Sequence, residues 1–250
     1  MADSGRNWGM REMVLWIAAA FAAYFVKGLC GFANTLVFTS ILGFGTANVD
    51  ISPVDLLMGC PSNLLMTWRY RAHMDRRIVL PLSALVLLGS IPGAAILRVV
   101  DVRRIKILFG IVVMAVGFEM LIREMTGTKG KTSRAAMTGI GILSGLLSGL
   151  FGIGALLAVY VGRETDDPDV FKANLNAVFV VENICRIISY TVLGILTLES
   201  FRQVLMLLPF ELLGLYAGMH SARFLPAGAV RRLIMVLLMI SGTVLAVSNL

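Results

Sequence analysis

The sequence predicts an all-α integral membrane protein with eight hydrophobic segments arranged as two four-segment repeats. Composition gives the class: of the 250 residues, 58% are hydrophobic and 15% charged, and the mean hydropathy is +0.85. A typical soluble domain is about half apolar and about a quarter charged. The apolar residues also form runs near the roughly 20 residues that cross a bilayer. These runs cover residues 12–46, 52–70, 78–99, 105–123, 135–162, 170–196, 201–222 and 229–249.

The charged residues and cysteines exclude several other classes. The net charge is +7, but Lys and Arg sit in short loops between apolar runs, as in membrane proteins with basic cytoplasmic loops, so we expect no nucleic-acid partner. Cys30, Cys60 and Cys185 lie within apolar runs without metal-ligand spacing, which predicts no disulfide framework, metal or other cofactor and leaves their role open. No cleavable signal peptide is expected, because a small-residue cleavage site is missing after the first run.

Two of the eight segments are too long to be single straight spans. Met13–Phe44 would measure about 48 Å as one helix, and residues 135–162 about 42 Å, whereas the hydrocarbon core is about 30 Å thick. Glycine-rich sequences, Gly28–Ala33 and Gly149–Gly154, interrupt them near the middle. Glycine is unfavourable inside a helix and supplies the dihedrals of a break. We therefore predict that segments one and five are broken or re-entrant.

The two glycine interruptions belong to a longer internal duplication. It divides the chain into a first repeat, residues 1–127, and a second, residues 128–250, each a broken helix followed by three helices. The other matched positions are Asn63 with Asn183, Gly89 and Gly93 with Gly214 and Gly218, and Arg103–Arg104 with Arg231–Arg232. The GxxxG pairs permit close helix approach, either within one subunit or across a homodimer.

The distribution of basic residues predicts the orientation of the two repeats. If segments one and five are re-entrant, Lys and Arg concentrate on one side, whereas eight full crossings distribute them nearly evenly. The positive-inside rule favours the re-entrant version. Each repeat then crosses the membrane an odd number of times, so the halves are predicted to be inverted, with both termini outside.

These features together resemble the sulfite exporter TauE/SafE family of four-plus-four permeases over nearly the whole chain. The resemblance rests on the paired glycine breaks, on Asn63 and Asn183, on the basic turn Arg69–Arg77 and on the two GxxxG helices. It implies a multi-pass permease of the inner membrane that exports or takes up sulfite, a sulfonate or a related sulfur or organic anion. The chain departs from the family's usual glycine triplet with a nearby proline, since the first prolines after the breaks are Pro53 and Pro168.

The broken helices predict where an anion binds. A break inside a membrane survives only where it is buried or lines a polar cavity, and the N-terminal ends of half-helices attract anions. We therefore include Gly28, Gly31, Gly149, Gly152 and Gly154 in the predicted substrate-binding site. Alternatively, these glycines only permit tight helix packing.

Five polar residues complete the predicted substrate site: Lys27, Asn34, Asn63, Asn183 and Arg186. A charged residue in a membrane costs about 2.5–3.5 kcal/mol on insertion scales, so the presence of Lys27 and Arg186 needs a reason. Lys27 either supplies positive charge to the anion or snorkels or pairs with a carboxylate. The asparagines either bind the anion or link helices by hydrogen bonds.

Three glutamates are candidates for proton coupling, because a carboxyl group in apolar surroundings favours its neutral form. Glu182 is spaced i,i+4 from Arg186, so it either serves as counter-ion in transport or forms a structural ion pair with that residue. Glu119 and Glu211 lie in segments four and seven, and Glu211 could equally sit at the membrane interface.

The sequence thus predicts a secondary carrier of a small anion, embedded in the lipid bilayer. A non-transporting structural membrane subunit is the alternative, since it could contain the same breaks. An intramembrane enzyme is a weaker alternative, because His73 and His220 are the only histidines and no zinc-protease, phosphate-loop or serine-elbow motif occurs.

Overall fold

A computed structural model describes residues 10–42, 48–96, 155–192 and 194–247, together with scattered positions between 107 and 142. The described residues form helices and no strand. The helices are α1 (Met10–Cys30), α2 (Asn34–Leu42), α3 (Asn48–Arg69), α4 (Arg76–Ile96), α5 (Ala155–Glu164), α6 (Pro168–Val192), α7 (Leu198–Ala222) and α8 (Ala227–Val247), with a 3₁₀ turn at Arg71–His73. Four of them, α1, α6, α7 and α8 up to Val244, are long and apolar enough to cross a membrane. The all-helical membrane class is confirmed, whereas the number of eight segments stays a prediction.

The first long segment is broken into two helices. α1 ends at Cys30 and α2 begins at Asn34. Between them, Gly31 has φ +90° and Ala33 has φ 73°. Both values lie in the left-handed region, which interrupts a right-handed helix and which alanine adopts only at a cost. The break therefore falls on the last three residues of the glycine-rich sequence, after Gly28.

Beyond the break, the chain reverses direction. The rings of Trp16 and Phe38 meet edge to face, with centroids 5.7 Å apart. Cys30 lies about 21 Å along α1 from Trp16, so Phe38 can reach that ring only if α2 folds back along α1. Helices α1 and α2 thus form a hairpin, the geometry expected of a re-entrant segment.

Helix α1 packs against α7 through glycines. Gly214 lies against the backbone of Phe21, and Gly218 lies against the backbone of Phe25 and Gly28, with no room for a Cβ atom. The contacts advance in the same direction along both helices, so α1 and α7 run parallel. We call these contacts the glycine seam. Gly214 and Gly218 therefore make their close helix contact within one subunit.

Helices α3 and α6, which correspond in the predicted repeats, run antiparallel. Ser52 Oγ shares a hydrogen bond with Tyr190 Oη at 3.0 Å. Farther along α3, Asn183 Nδ2 donates to Cys60 Sγ at 3.6 Å, and beyond its end the Asp75 backbone N–H donates to Asn174 Oδ1 at 2.7 Å. In inverted repeats, helices that correspond to each other run in opposite directions, as α3 and α6 do. The repeat arrangement stays a prediction, because the second break (149–154) and Arg103–Arg104 lie outside the described residues.

One face of the bundle collects the basic turns. The ring of Tyr70, in the turn after α3, lies 5.5 Å from Lys172 Nζ near the start of α6, and Tyr70 also interacts electrostatically with Asp169 and Arg223. This face carries Arg69, Arg71, Arg76, Arg77, Arg163 and Arg223. The positive-inside rule predicts that it faces the cytoplasm, and the orientation stays a prediction. Since α1 runs toward this face beside α7, and α8 leaves it, α1 begins and α8 ends on the opposite side.

Candidate functional site

A partly open cavity lies between the α1–α2 hairpin, α3 and α6. Its volume is about 40 Å³. Since one buried water needs about 10–15 Å³, the cavity has room for a few waters or one small solute. The lining residues are Lys27, Phe32, Ala33, Asn34, Thr35, Leu36, Asp55, Leu56, Gly59, Asn63, Phe179, Glu182, Asn183 and Arg186.

The N-terminus of α2 forms one wall of this cavity, from Phe32 to Leu36. The first intrahelical hydrogen bond at this end runs from the Val37 N–H to the Ala33 carbonyl, at 3.1 Å. The N–H groups before it have no acceptor within the helix, and the helix dipole makes this end positive. The hairpin thus brings an anion-attracting helix end into the cavity wall.

Lys27 is held inside the protein. Its side chain is 1% exposed. Nζ donates to Asn63 Oδ1 at 2.5 Å and to Ser62 Oγ at 3.0 Å, and it lies 5.5 Å from the centroid of the Tyr24 ring. These contacts come from α3 and from α1 itself, so the ammonium group does not snorkel to the membrane surface.

The second cation at the cavity is Arg186, on α6. It is buried and donates from Nη2 to Tyr190 Oη at 3.1 Å and to Ser52 Oγ at 3.4 Å. Its Nε has no hydrogen-bond partner among the described residues, which leaves a charged donor available. Asn183, one turn earlier, also lines the cavity, and its Nδ2 lies 3.4 Å from the position that a Cβ on Gly59 would take.

Asp55 is a site residue that the sequence interpretation missed. Its carboxylate accepts hydrogen bonds from Thr35 Oγ1 at 2.7 Å and from Asn34 Nδ2 at 3.3 Å, and the residue is 4% exposed. It therefore sits against the positive end of α2, and Asn34 links α2 to α3 as well as lining the cavity. An acidic residue within an apolar helix was the available signal.

The three glutamates occupy different places. Glu182 lines the cavity, is 2% exposed and interacts electrostatically with Arg186 and Lys27. Glu211 is fully buried on α7 rather than interfacial, and it interacts electrostatically with Lys27 and Asp55. Its carboxyl group also interacts with the Ser62 side chain of α3. Glu119 lies away from the cavity in a salt bridge of 2.5 Å with Arg163.

Gly28 and Gly31, the two described glycines that were proposed as binding residues, are not among the described residues that line the cavity. Gly28 belongs to the glycine seam. Gly31 forms the break, and its carbonyl accepts a hydrogen bond from Asn176 Nδ2 at 3.0 Å. Gly149, Gly152 and Gly154 lie outside the described residues. The structure thus brings Lys27, Asn34, Asn63, Glu182, Asn183 and Arg186 around one cavity, and the described glycines shape the elements that carry some of them.

The cysteines take three different positions. Cys30 is buried in an apolar cluster, Cys60 is half-buried beside Asn183, and Cys185 is half-buried; all three are free thiols. In the part of the chain that the structure describes, no group of three His, Cys, Asp or Glu residues is placed to hold a metal ion.

Comparison with known families decides the identity of this bundle. A family model described as "Sulfite exporter TauE/SafE" matches residues 16–245, nearly the whole chain. The chain belongs to the sulfite exporter TauE/SafE family. The resemblance seen in the sequence is therefore confirmed. TauE/SafE proteins are membrane transporters and not enzymes, so the intramembrane-enzyme alternative is not supported.

One curated relative of this TauE/SafE member is a "Probable membrane transporter protein" of Xylella fastidiosa (strain Temecula1 / ATCC 700964). The two are 25% identical over 157 residues, which cover 58% of this chain and 60% of the relative, so the chain spans less than two thirds of the relative it matches. No solved structure matches the chain. Family membership and the apolar helices together make this a multi-pass membrane protein.

Proposed function

We propose that this TauE/SafE member is a secondary transporter of a small anion, namely sulfite, a sulfonate or a related sulfur or organic anion, in the cell inner membrane. The observation that supports this most directly is the convergence of Lys27, Arg186 and the N-terminus of α2 on one buried cavity. Charged groups are expensive inside a membrane protein, and all three of these groups offer hydrogen-bond donors to a ligand of negative charge.

The donors around the cavity suit an oxyanion. The guanidinium of Arg186 has a free Nε and a planar donor geometry that matches oxygen pairs on sulfonate or carboxylate groups. Asn183 adds amide donors from the same helix, and Asn63 from α3 lies opposite. The backbone N–H groups at the start of α2 complete the set. Gly28 and Gly31 act by shaping the α1–α2 hairpin and its contact with α7, and Gly149, Gly152 and Gly154 stay predicted binding residues.

The cavity dimensions favour a small substrate. A cavity of about 40 Å³ admits an anion of a few heavy atoms. Leu36, Leu56 and Phe179 supply the apolar part of the wall, which excludes bulky polar groups. Sulfite and short sulfonates meet both conditions.

The cavity also has the location that alternating access requires. It lies between α1, α2 and α3, which belong to the predicted first repeat, and α6, which belongs to the predicted second. Sites between repeats suit rocking of one half against the other. The antiparallel course of α3 and α6 supports inverted repeats at residues 1–127 and 128–250. The α1–α2 hairpin supports the re-entrant version of segment one.

Transport by purified protein in liposomes tests the proposal. We would measure uptake and counterflow of ³⁵S-labelled sulfite, thiosulfate, taurine and sulfoacetate, with acetate and succinate as carboxylate controls. Saturable movement of at least one sulfur anion is expected, and Lys27→Met should lower it by about tenfold or more, because a charged hydrogen-bond donor contributes about 1.5–3 kcal/mol. Arg76→Ala is the matched control, since Arg76 is an exposed cation on the basic face.

Two outcomes would contradict the proposal. If the folded protein moves none of these anions in either direction, the non-transporting structural subunit becomes the better account. If the anions move but Lys27→Met and Arg76→Ala behave alike, the cavity is not the binding site.

A further inference from the structure

The charges around the cavity are not those of a simple anion receptor. Among the described residues, two cations, Lys27 and Arg186, interact with three carboxyl groups, those of Asp55 and Glu182 in the cavity wall and that of Glu211 on α7, and all five residues are at least nine-tenths buried. With every group ionised, the carboxylates outnumber the cations. An arriving anion would then enter a site of net negative charge, where repulsion is strong because little water screens it. Anion binding therefore requires that negative charge be removed first.

Asp55 occupies the place that the anion needs. Its carboxylate takes the hydrogen bonds of Thr35 Oγ1 (2.7 Å) and Asn34 Nδ2 (3.3 Å) at the start of α2. It also interacts electrostatically with Arg186 and Lys27. An ionised Asp55 is thus an internal anion that competes with the substrate for the same donors.

The other carboxyl groups are less suited to this role. Glu211 lies on α7 and is not part of the cavity wall. Glu182 is one helical turn before Arg186 on α6 and accompanies that cation. Asp55 hydrogen-bonds Asn34 and Thr35, the residues that begin α2.

We propose that the substrate anion and a proton bind together, with the proton carried on a carboxyl oxygen of Asp55. This rests on the proposed anion-transport function. In the empty carrier, ionised Asp55 holds Asn34 and Thr35. A proton from the aqueous side neutralises the carboxylate, the donors turn to the anion, and both leave together on the other side, so that no bond other than O–H forms or breaks.

The surroundings of Asp55 decide how well it can hold this proton. Ionisable and polar groups face it from every packed element: Lys27 and Tyr24 from α1, Asn34 and Thr35 from α2, Glu182, Arg186 and Tyr190 from α6, and Glu211 from α7. When the anion binds Lys27 and Arg186, it weakens the electrostatic attraction between these two cations and the Asp55 carboxylate. Anion binding and protonation thus favour each other, as reciprocal linkage demands.

The test separates exchange from proton-driven accumulation, with ³⁵S-sulfite in proteoliposomes as the probe. Asp55→Asn mimics the protonated acid, so its accumulation driven by a proton gradient should fall by about tenfold or more relative to its own sulfite–sulfite counterflow, the usual size of such couplings. Because sulfite itself binds protons in this pH range, a gradient effect that persists in Asp55→Asn would belong to sulfite and would overturn the proposal.

Control variants complete the design. Glu12→Gln removes an exposed carboxyl of α1 and should leave both activities unchanged. Glu211→Gln and Glu182→Gln are the competing assignments, and loss of gradient-driven accumulation in either of these, with Asp55→Asn still coupled, would overturn the role of Asp55. If Asp55→Asn folds but loses both gradient-driven accumulation and counterflow, Asp55 is a binding residue, and this result would also overturn the proposal.

If Asp55→Asn does not fold, Asp55→Glu decides. It retains an acid at a displaced position, so gradient-driven accumulation should persist with a shifted pH profile, and an unchanged profile would overturn the proposal. Failure of wild-type counterflow is a different result, because it rejects anion transport itself rather than its coupling to protons.

Discussion

The glycine seam and the cavity are adjacent regions of the same helix, α1, yet they are built in opposite ways. At the seam, Gly28 and Gly218 bring the backbones of α1 and α7 into direct contact. At the cavity, Lys27, one residue earlier, reaches α3 with a long charged side chain. The first region depends on the absence of side-chain atoms and the second on where polar atoms point. Substitutions should therefore damage folding at the seam and transport at the cavity.

The largest effect is expected at the seam. Gly218→Val should destabilise the protein by about 3 kcal/mol or more, because overpacking of a tight contact commonly costs about 1–3 kcal/mol and here the new atoms meet backbone that cannot turn away. Thermal unfolding in detergent measures this loss. Gly228→Val is the matched control, since a Cβ there meets nothing within 4 Å. Equal unfolding temperatures for the two variants would mean that the seam tolerates separation.

At the cavity, the corresponding change is Arg186→Ala. It removes a buried charged donor with bonds to Tyr190 and Ser52, so anion transport should fall by about 10-fold to 150-fold, equivalent to about 1.5–3 kcal/mol. Arg71→Ala removes an exposed arginine that stacks on Trp68 and should have little effect. Transport rates in proteoliposomes, normalised to folded protein, make the comparison. Near-normal rates in Arg186→Ala would remove this residue from the site.

The smallest effect is expected where the two regions meet, at the break. Ala33 has φ 73°, a conformation that costs an L-residue about 1–2 kcal/mol and glycine much less. Ala33→Gly should therefore raise the unfolding free energy by roughly 1 kcal/mol or leave it unchanged, whereas Ala20→Gly inside α1 should lower it by about 1 kcal/mol. Guanidinium or thermal unfolding gives both values. A clear loss of stability in Ala33→Gly would show that its methyl group matters more than its backbone.

Several features of the site were predictable because polar groups in a membrane helix are conspicuous. Lys27, Asn63, Glu182, Asn183 and Arg186 stand out in apolar runs, and all five line the cavity. The break was predictable because the first segment is too long and rich in glycine. The class and the family followed from the same pattern, and the family match confirms the latter.

Other features could not be derived from sequence order. Gly28 and Gly31 look equivalent within one motif, but Gly28 packs against α7 while Gly31 forms the break. Glu211, which follows Pro209 closely, could equally have been interfacial, yet it is fully buried near Lys27. Asp55 lies about two turns into α3, and its contact with the start of α2 depends on the way in which α2 folds back.

By itself, the sequence determined that this protein is embedded in a lipid bilayer. It also determined the helical segments, the position of one break and most of the polar residues of the cavity. These depend on composition and spacing, because lipid penalises every unpaired polar group wherever it occurs. Only the tertiary structure decided which way the chain turns after the break, and hence that Asp55 meets the positive end of α2 between two cations. That arrangement depends on packing between residues distant along the chain, which the order of side chains alone does not reveal.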